Sequence, residues 1–196
     1  MTWPRLTTER LLLRRWAEAD RAAFHAMNSD PAVMATIGPL MSRAESDAFM
    51  NRIEAAFDGQ GFGLWCVELD GEAIGYTGYM KPWFRDGIEI GWRLRSEHWG
   101  RGYAPEAARA CLAVGFTPRA EGGIGFEEVL TFTAASNHKS IRVMEKLGFE
   151  RDHDGDFDHP GVPEGSSLRR HVLYRLSRPG TGGHDADGRG TVARRG

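Results

Sequence analysis

Gly100 and Gly102, on either side of Arg101, have a spacing that could bind phosphate. They follow a predicted strand and precede a predicted helix that begins at Pro105. Glycines let the backbone turn several N–H groups toward one point, and the positive end of the following helix points to the same place. Proline suits the first helical position because it has no N–H to leave unpaired. The segment is a candidate pyrophosphate-binding turn, and a tight strand-to-helix connection without a ligand is the alternative.

The pattern around these glycines disfavours two common phosphate sites. The chain lacks the G-x-x-x-x-G-K-[ST] sequence of a nucleoside triphosphate loop at this turn. The third glycine of the dinucleotide fingerprint does not follow either. A nucleotide-binding oxidoreductase is therefore a weak alternative.

Asn137 and Ser140 lie three residues apart at the start of another predicted helix. Residues at this spacing share one helix face, and the positive end of the helix favours a polar or anionic ligand there. Asparagine is also a common helix cap, which would leave Ser140 as an ordinary residue of the first turn. Both interpretations fit the sequence.

Glu89 lies on a predicted strand directly before the glycine turn, with its side chain on the face opposite its two neighbours. A carboxylate in this position could serve as a general base, directly or through water, or be an exposed strand residue. Glu97 and Glu106 are weaker candidates, because carboxylates in loops and first helical turns commonly stabilise helix ends.

Aspartate and histidine alternate over residues 152–159. Hard and soft ligands mixed in a flexible loop make a poor metal site, so no metal is expected. The segment is then either a solvated loop or an acidic rim that attracts cations.

The elements that must position these residues form an antiparallel meander followed by a strand–helix–strand unit. The predicted strands cover residues 10–16, 63–69, 72–79, 88–94, 128–133, 149–156 and 168–176. The predicted helices cover residues 20–28, 42–58, 105–116 and 138–147. This order implies one parallel pairing beside antiparallel ones. The predicted fold class is α+β, with a central mixed, mostly antiparallel sheet of six to seven strands and helices on both faces.

Composition places these elements in one soluble domain. The chain has 196 residues, 41% hydrophobic and 27% charged, with a formal net charge of -2. Such a balance offers no footprint for nucleic acid, and no apolar run approaches the roughly 20 residues of a membrane span. Two separated cysteines, Cys66 and Cys111, suggest a reduced cytoplasmic protein. Residues 1–176 are expected to form the domain, and the glycine-rich residues 177–196 a mobile tail.

Four segments, in order along the chain, resemble the GNAT N-acetyltransferases. The turn Trp-Gly-Arg-Gly-Tyr-Ala at 99–104 is similar to their coenzyme A pyrophosphate loop, R/Q-x-x-G-x-G/A, with Trp99 in the arginine or glutamine position. That substitution is usual in the branch containing the ribosomal-protein N-terminal acetyltransferases. Segments 6–14, 88–92 and 137–149 resemble the same branch.

The resemblance implies an acetyl-CoA-dependent N-acetyltransferase, without a metal, that acts on a primary amine of a protein N-terminus or small molecule in a ternary complex. In the family, the strands before and after the loop splay apart and hold the pantetheine arm between them. The resemblance implies that Ser140 protonates the leaving thiolate, and Glu89 is the candidate base. The cofactor-binding residues it implies are Trp92, Leu94, Trp99, Gly100, Arg101, Gly102, Tyr103, Ala104, Asn137 and Ser140.

A coenzyme A-binding sensor that keeps the fold and lacks transfer is the alternative function. The presence of Glu89, Asn137 and Ser140 together favours the enzyme. The expected partners are acetyl-CoA and an amine acceptor, with no nucleic acid or membrane, and a homodimer is one option for the assembly. The sequence does not identify the acceptor, because fold does not fix function.

Overall fold

The structure, a computed structural model, describes residues 5–180. Its strands are β1 Leu6–Thr7, β2 Leu12–Arg14, β3 Leu64–Leu69, β4 Glu72–Met80, β5 Glu89–Leu94, β6 Glu128–Ala134, β7 Glu150–Asp158 and β8 Arg170–Ser177. Its α-helices are α1 Arg21–Asn28, α2 Pro31–Met34, α3 Arg43–Gln60, α4 Tyr103–Phe116 and α5 His138–Lys146. Strand β8 runs through Ser177, the first residue of the predicted tail, and most of that tail, residues 181–196, lies outside the described residues.

The strands form one sheet in the order β1-β2-β3-β4-β5-β6-β8-β7, antiparallel except between β5 and β6. The prediction of a mixed, mostly antiparallel sheet is confirmed. The sheet has eight strands rather than six to seven, because β1 folds back on β2 through a turn in which the Thr8 N–H donates to the Leu11 carbonyl. A two-residue strand is too short to show a hydrophobic period in the sequence.

Strands β5 and β6 pair only where they begin. Glu89 is in register with Leu130, and the Leu130 N–H donates to the Ile88 carbonyl at 2.8 Å. The ladder does not continue, although the strands run on to Leu94 and Ala134. The resulting opening, called the wedge below, is narrow at Glu89 and wide at the carboxyl ends of the strands. It is the splayed pair that the resemblance implies.

Helices pack on both faces of the sheet. The Tyr76 ring on β4 contacts the rings of Phe24 in α1 and Phe49 in α3. Three residues on, Tyr79 points to the opposite face, where its hydroxyl donates to the Cys111 carbonyl of α4 at 2.7 Å. We call these the α3 face and the α4 face. No helix within residues 5–180 combines the length and apolar character needed to cross a membrane.

Helix α4 begins at Tyr103, two residues before the predicted start at Pro105. Gly102 is its N-cap, with a left-handed φ of 83°, so the glycine turn leads directly into the helix. Pro105 therefore occupies the third helical position. The missing N–H of Pro105 removes no hydrogen bond there, because the N–H groups of the first helical turn have no intrahelical acceptor.

The end of α3 and the presence of α2 differ from the prediction. Helix α3 starts after Ser42, which forms a capping box with Glu45, and runs to Gln60, past the predicted end at residue 58, before Gly61 with its left-handed φ of 78°. Asp30 and Pro31 begin α2, since the Asp30 carboxylate accepts the Ala32 N–H at 2.8 Å. Both ends are set by single capping residues.

We expect Gly115→Ala to destabilise the protein. A Cβ on Gly115 in α4 would lie 2.1 Å from the Tyr79 hydroxyl, whereas a Cβ on Gly59 in α3 would meet nothing within 4 Å. Gly115→Ala should lower the free energy of unfolding by about 1–3 kcal/mol through overpacking. The matched Gly59→Ala variant should raise it by about 0.4–1 kcal/mol. Urea unfolding of both variants measures this, and an equal effect of the two would contradict the packing.

Candidate functional site

The glycine turn presents free backbone N–H groups at the wide end of the wedge. Gly100 and Gly102 have left-handed φ angles of 74° and 83°, and both are exposed. The first bond of α4 runs from the Glu106 N–H to the Gly102 carbonyl at 3.2 Å. The N–H groups before Glu106 have no intrahelical acceptor, which is the usual geometry for binding phosphate at a helix N-terminus.

A contact from the β1–β2 turn, called the N-terminal clamp below, holds the first turn of α4. The Glu106 carboxylate accepts hydrogen bonds from the Thr8 hydroxyl at 2.6 Å, the Arg10 N–H at 3.0 Å and the Arg10 Nε at 2.7 Å. Burial opposes ionisation of Glu106, but the hydrogen bonds from Thr8 and Arg10 outweigh it and lower the pKa of this carboxyl. Glu106 therefore supports the turn and is a poor base.

The same arginine also contacts the glycine turn itself. Arg10 Nη1 donates to the Arg101 carbonyl at 3.1 Å, and the guanidinium lies 4.5 Å from the centre of the Tyr103 ring. Sequence reasoning did not assign Thr8 or Arg10 to the site. Both residues lie in the segment 6–14, which carries part of the resemblance. Their contact with Glu106 could not be predicted, because Glu106 is distant in sequence.

Trp92 and Leu94 turn their backbone groups toward the wedge. The Arg95 N–H donates to the Ile74 carbonyl of β4 at 2.9 Å, so the alternate residues of β5 face β6. The Leu94 carbonyl accepts from the Trp99 indole Nε1 at 2.9 Å. The backbone of Trp92 and the Leu94 N–H remain for a ligand in the wedge.

Asn137 caps α5, and Ser140 follows it on the same helical turn. The Asn137 Oδ1 accepts the Ser140 N–H at 3.2 Å, and its Nδ2 donates to the Thr133 hydroxyl at 3.0 Å. Asn137 is therefore the helix cap, and its contact with a cofactor stays a prediction. The half-buried Ser140 hydroxyl donates to no group within residues 5–180. Lys139 Nζ lies 3.9 Å from the Trp99 ring centre, which connects the start of α5 to the glycine turn.

Glu89 lies at the narrow end of the wedge, on the α3 face. Burial raises the pKa of this half-buried carboxyl to about 8, and the nearby Arg85 guanidinium offsets the rise only in part. A carboxyl that titrates near neutral pH can accept a proton efficiently from a reacting group. Glu89 is therefore not an exposed strand residue, and its role as a general base stays a prediction.

The α3 face beside Glu89 has a gap and a buried arginine. A Cβ on Gly91 would meet the Glu89 Oε1 at 3.9 Å and no other group of residues 5–180 within 4 Å. Arg93 is only 9% exposed; its Nη1 donates to the Asn28 Oδ1 at 2.6 Å, and its Nε has no acceptor among the described residues. Sequence reasoning did not single out Arg93, since an arginine on a strand gives no local sign of burial.

Five half-buried rings, called the ring cluster below, cover the α3 face of β6, β8 and β7. Neighbouring ring centres are 4.6–6.1 Å apart. The members are Phe84, Phe132, Phe157, His159 and His171. Burial lowers the pKa of both histidines, and for His159 the neighbouring His171 lowers it further. Trp83 lies against Phe84 and is 76% exposed, so the cluster continues to the surface as an aromatic edge.

The alternating aspartates of residues 152–159 belong mostly to β7 and not to a flexible loop. Three of them are paired with arginines: Asp152 with Arg175, Asp156 with Arg151, and Asp158 with Arg169 and Arg170. These pairs neutralise three of the four aspartates of the acidic rim considered from the sequence. Within residues 5–180, no group of three or more His, Cys, Asp or Glu side chains is arranged to hold a metal ion.

Comparisons with known proteins agree with this geometry. Residues 10–150 match the family model described as an acetyltransferase (GNAT) domain. The chain is 34% identical over 149 residues to the uncharacterized protein YkkB of Bacillus subtilis, covering 74% of this chain and 84% of that protein. It is 28% identical over 194 residues to the FsC-acetyl coenzyme A-N(2)-transacetylase of Aspergillus fumigatus, covering 90% and 80%. A crystal structure of a GNAT-family acetyltransferase from Bacillus anthracis superimposes with a TM-score of 0.72 at 28% identity, covering 89% of this chain and 99% of that one.

The raised pKa of Glu89 predicts a pH-dependent stability that a glutamine variant lacks. The folded state holds this proton up to about pH 8, whereas the ordinary value is 4.5. The contribution of Glu89 to the free energy of unfolding is therefore complete below pH 4.5. It decreases as the pH rises toward 8, by up to about 1.4 kcal/mol per pH unit. In urea unfolding between pH 5 and 8, the stability of Glu89→Gln relative to the wild type should increase with pH.

An exposed glutamate, Glu121, provides the matched control. Glu121→Gln should keep the pH dependence of the wild type. If the stability difference between Glu89→Gln and the wild type stays constant over this pH range, the burial of the Glu89 carboxyl is wrong.

Proposed function

The chain belongs to the GNAT acetyltransferase family, and from this premise we propose that it transfers the acetyl group of acetyl-CoA to a primary amine by direct attack in a ternary complex. The observation that carries the proposal is the arrangement of the wedge. Its wide end has a glycine turn suited to phosphate, and its narrow end has a carboxyl group, Glu89, that titrates near neutral pH. One ligand can reach from the turn toward the base.

Acetyl-CoA suits the groups that line the wedge. The N–H groups from Gly100 to Ala104 would bind the pyrophosphate, and the exposed Arg101 would add positive charge. The pantetheine arm would pair with the backbone of Trp92 and the Leu94 N–H, as a peptide adds to an open sheet edge. The similar Aspergillus protein carries acetyl coenzyme A in its name, which supports this choice of donor.

The reaction needs two proton transfers, and the wedge has a candidate for each. Glu89 would take a proton from the incoming ammonium, directly or through water, so that the neutral amine attacks the thioester carbonyl. The backbone N–H near Trp92 would stabilise the negative charge on the carbonyl oxygen. As the C–N bond forms and the C–S bond breaks, the Ser140 hydroxyl would give its proton to the leaving thiolate and take up the surplus proton of the attacking nitrogen, so that the products are the amide and the free thiol.

A coenzyme A-binding sensor is the second candidate function. One observation favours it: the Asn137 amide and the Leu94 carbonyl, both predicted to contact the cofactor, already bond to the protein. Those bonds leave fewer groups to orient a reacting thioester. They leave the glycine turn free, so binding without transfer fits this arrangement.

An acceptor panel distinguishes the two functions. The protein is mixed with acetyl-CoA and four classes of amine: peptides with free N-termini, amino acids, polyamines and antibiotic amines. We expect release of free thiol with at least one class, and a product that mass spectrometry identifies as the acetylated amine. Binding of coenzyme A without transfer to any amine would reject the enzyme and support the sensor.

We expect Glu89→Gln to lower kcat/KM by roughly 10²-fold or more with the best acceptor, because it removes the base. In the wild type, kcat/KM should rise with pH up to about 8 as Glu89 loses its proton. The variant should lose this rise and keep the wild-type affinity for acetyl-CoA. An unchanged kcat/KM would reject Glu89 as the base.

Two variants separate this effect from general damage to the site. Glu97→Gln changes an exposed carboxylate near the glycine turn and should leave kcat/KM unchanged. Ser140→Ala should lower kcat, because it removes the acid. It should keep the increase of kcat/KM with pH and the binding of acetyl-CoA, because the base is still present.

A further inference from the structure

Arg85 is a half-buried arginine with no hydrogen bond or ion pair to any residue in the range 5–180. It lies in the connection from β4 to β5, four residues before Glu89. Its guanidinium packs 4.5 Å from the centre of the Phe157 ring, and its Nη1 is buried with no acceptor in the described part of the chain. Burying a charged group without a partner is costly, so such a group indicates a partner that comes from outside the chain.

The carboxylates nearest to Arg85 do not supply that partner. Asp152 interacts with Arg85 electrostatically, but its carboxylate already accepts from Arg175 Nε at 2.8 Å and from the Gly155 N–H at 2.9 Å. Glu89 also interacts with it, and burial keeps most of this carboxyl protonated at pH 7. Burial lowers the pKa of Arg85, and the positive charge of Arg175 lowers it further. Among residues 5–180, no carboxylate therefore forms a hydrogen bond or an ion pair with Arg85.

The other arginines of this region are paired with acidic side chains. The ion-paired arginines are Arg151, Arg169, Arg170 and Arg175. The contrast shows that the β7–β8 region contains enough carboxylates to neutralise its own arginines, and that Arg85 is left out of this pairing. Arg85 also lies on the side of the sheet where the acceptor amine would meet Glu89.

The surroundings of Arg85 would strengthen an ion pair formed there. The ring cluster borders the guanidinium through Phe157, and its rings reduce the access of water, so a charge–charge contact is screened less than at the open surface. The gap over Gly91 lies beside Glu89 on the same face. An amine group at Glu89 and an anionic group at Arg85 could therefore belong to one small molecule.

We propose that Arg85 binds a carboxylate of the acceptor, so that the enzyme prefers amines that carry a carboxylate over their uncharged analogues. This inference rests on the proposed function, whose acceptor class it specifies. A guanidinium binds a carboxylate through two parallel N–H···O hydrogen bonds and by charge attraction. A neutral amide has no negative charge and one acceptor oxygen, so it cannot replace the carboxylate. The apolar part of the acceptor would contact the ring cluster and Trp83.

The test compares acceptors that differ only in this charge. L-Phenylalanine is paired with L-phenylalaninamide, and L-leucine with L-leucinamide, with rates corrected for the fraction of neutral amine. We expect kcat/KM to be at least tenfold higher for the acids. Arg85→Met should lower kcat/KM for the acids at least tenfold and leave the amides within twofold, and Arg85→Lys should retain part of the preference.

The matched control is Arg52→Met. Arg52 also lies over an aromatic ring, with its guanidinium 5.5 Å from the centre of the Phe49 ring, and it is exposed on α3. This variant should keep the wild-type ratio of acid to amide. Equal use of acids and amides by the wild type would overturn the proposal. So would an equal loss for both in Arg85→Met, which would mean that Arg85 acts only through Glu89.

A binding measurement separates this proposal from the proposed function. Thermal unfolding in the presence of coenzyme A is followed with N-acetyl-L-phenylalanine and with N-acetyl-L-phenylalaninamide; only the acid should raise the Tm, and Arg85→Met should abolish the rise. If transfer occurs but acid and amide are used and bound alike, the carboxylate site is rejected and the proposed function stands. If no amine is acetylated but the acid alone binds through Arg85, the proposed function fails and the site stands. If neither occurs, both are rejected.

Discussion

The hydrogen bond from the Leu130 N–H to the Ile88 carbonyl joins the two halves of the sheet, and beyond it β5 and β6 separate. On one side of it lies an antiparallel meander, and on the other a second antiparallel group formed by β6, β8 and β7. Because β5 and β6 share a single register pair, most of their inner backbone groups beyond it can bind another extended chain; the Leu94 and Ala134 carbonyls are already bonded within the protein. The position of that pair also determines where a ligand in the wedge must end, which is beside Glu89.

The two halves of the sheet provide different environments at this point. The α3 side of the meander is covered by α1 and α3, whereas the ring cluster covers the same face of the second half and stays partly open to solvent. Glu89 lies between them and is buried enough for its pKa to rise to about 8. The same partial burial leaves Arg85 without an ion-paired carboxylate among residues 5–180. The roles that we propose for Glu89 and Arg85 thus both depend on one half-covered strip of the sheet.

Much of this arrangement could be predicted from local sequence patterns. The glycine turn, the capping box at Ser42 and the hydrophobic periods of the main strands are signals within a few residues, and the structure confirms the elements that they predicted. The predicted start of α4 at Pro105 is two residues too late, because a proline is accepted at the third helical position as well as at the first. The N-terminal clamp, the pairing of the β7 aspartates and the isolation of Arg85 could not be predicted. Each depends on which residues meet across the fold, and composition does not contain that information.

The N-terminal clamp joins Arg10 to Glu106 across 96 positions of the chain. During synthesis, the β1–β2 turn that carries Thr8 and Arg10 leaves the ribosome long before α4 exists, so this support of the glycine turn cannot form until α4 has been made. Contacts of such long sequence separation form late and slow the folding of a domain. The meander can pair from hairpins as it emerges, whereas the glycine turn gains this support only when both ends of the contact are present. The segment proposed to bind the donor therefore depends on a contact between two distant parts of the chain.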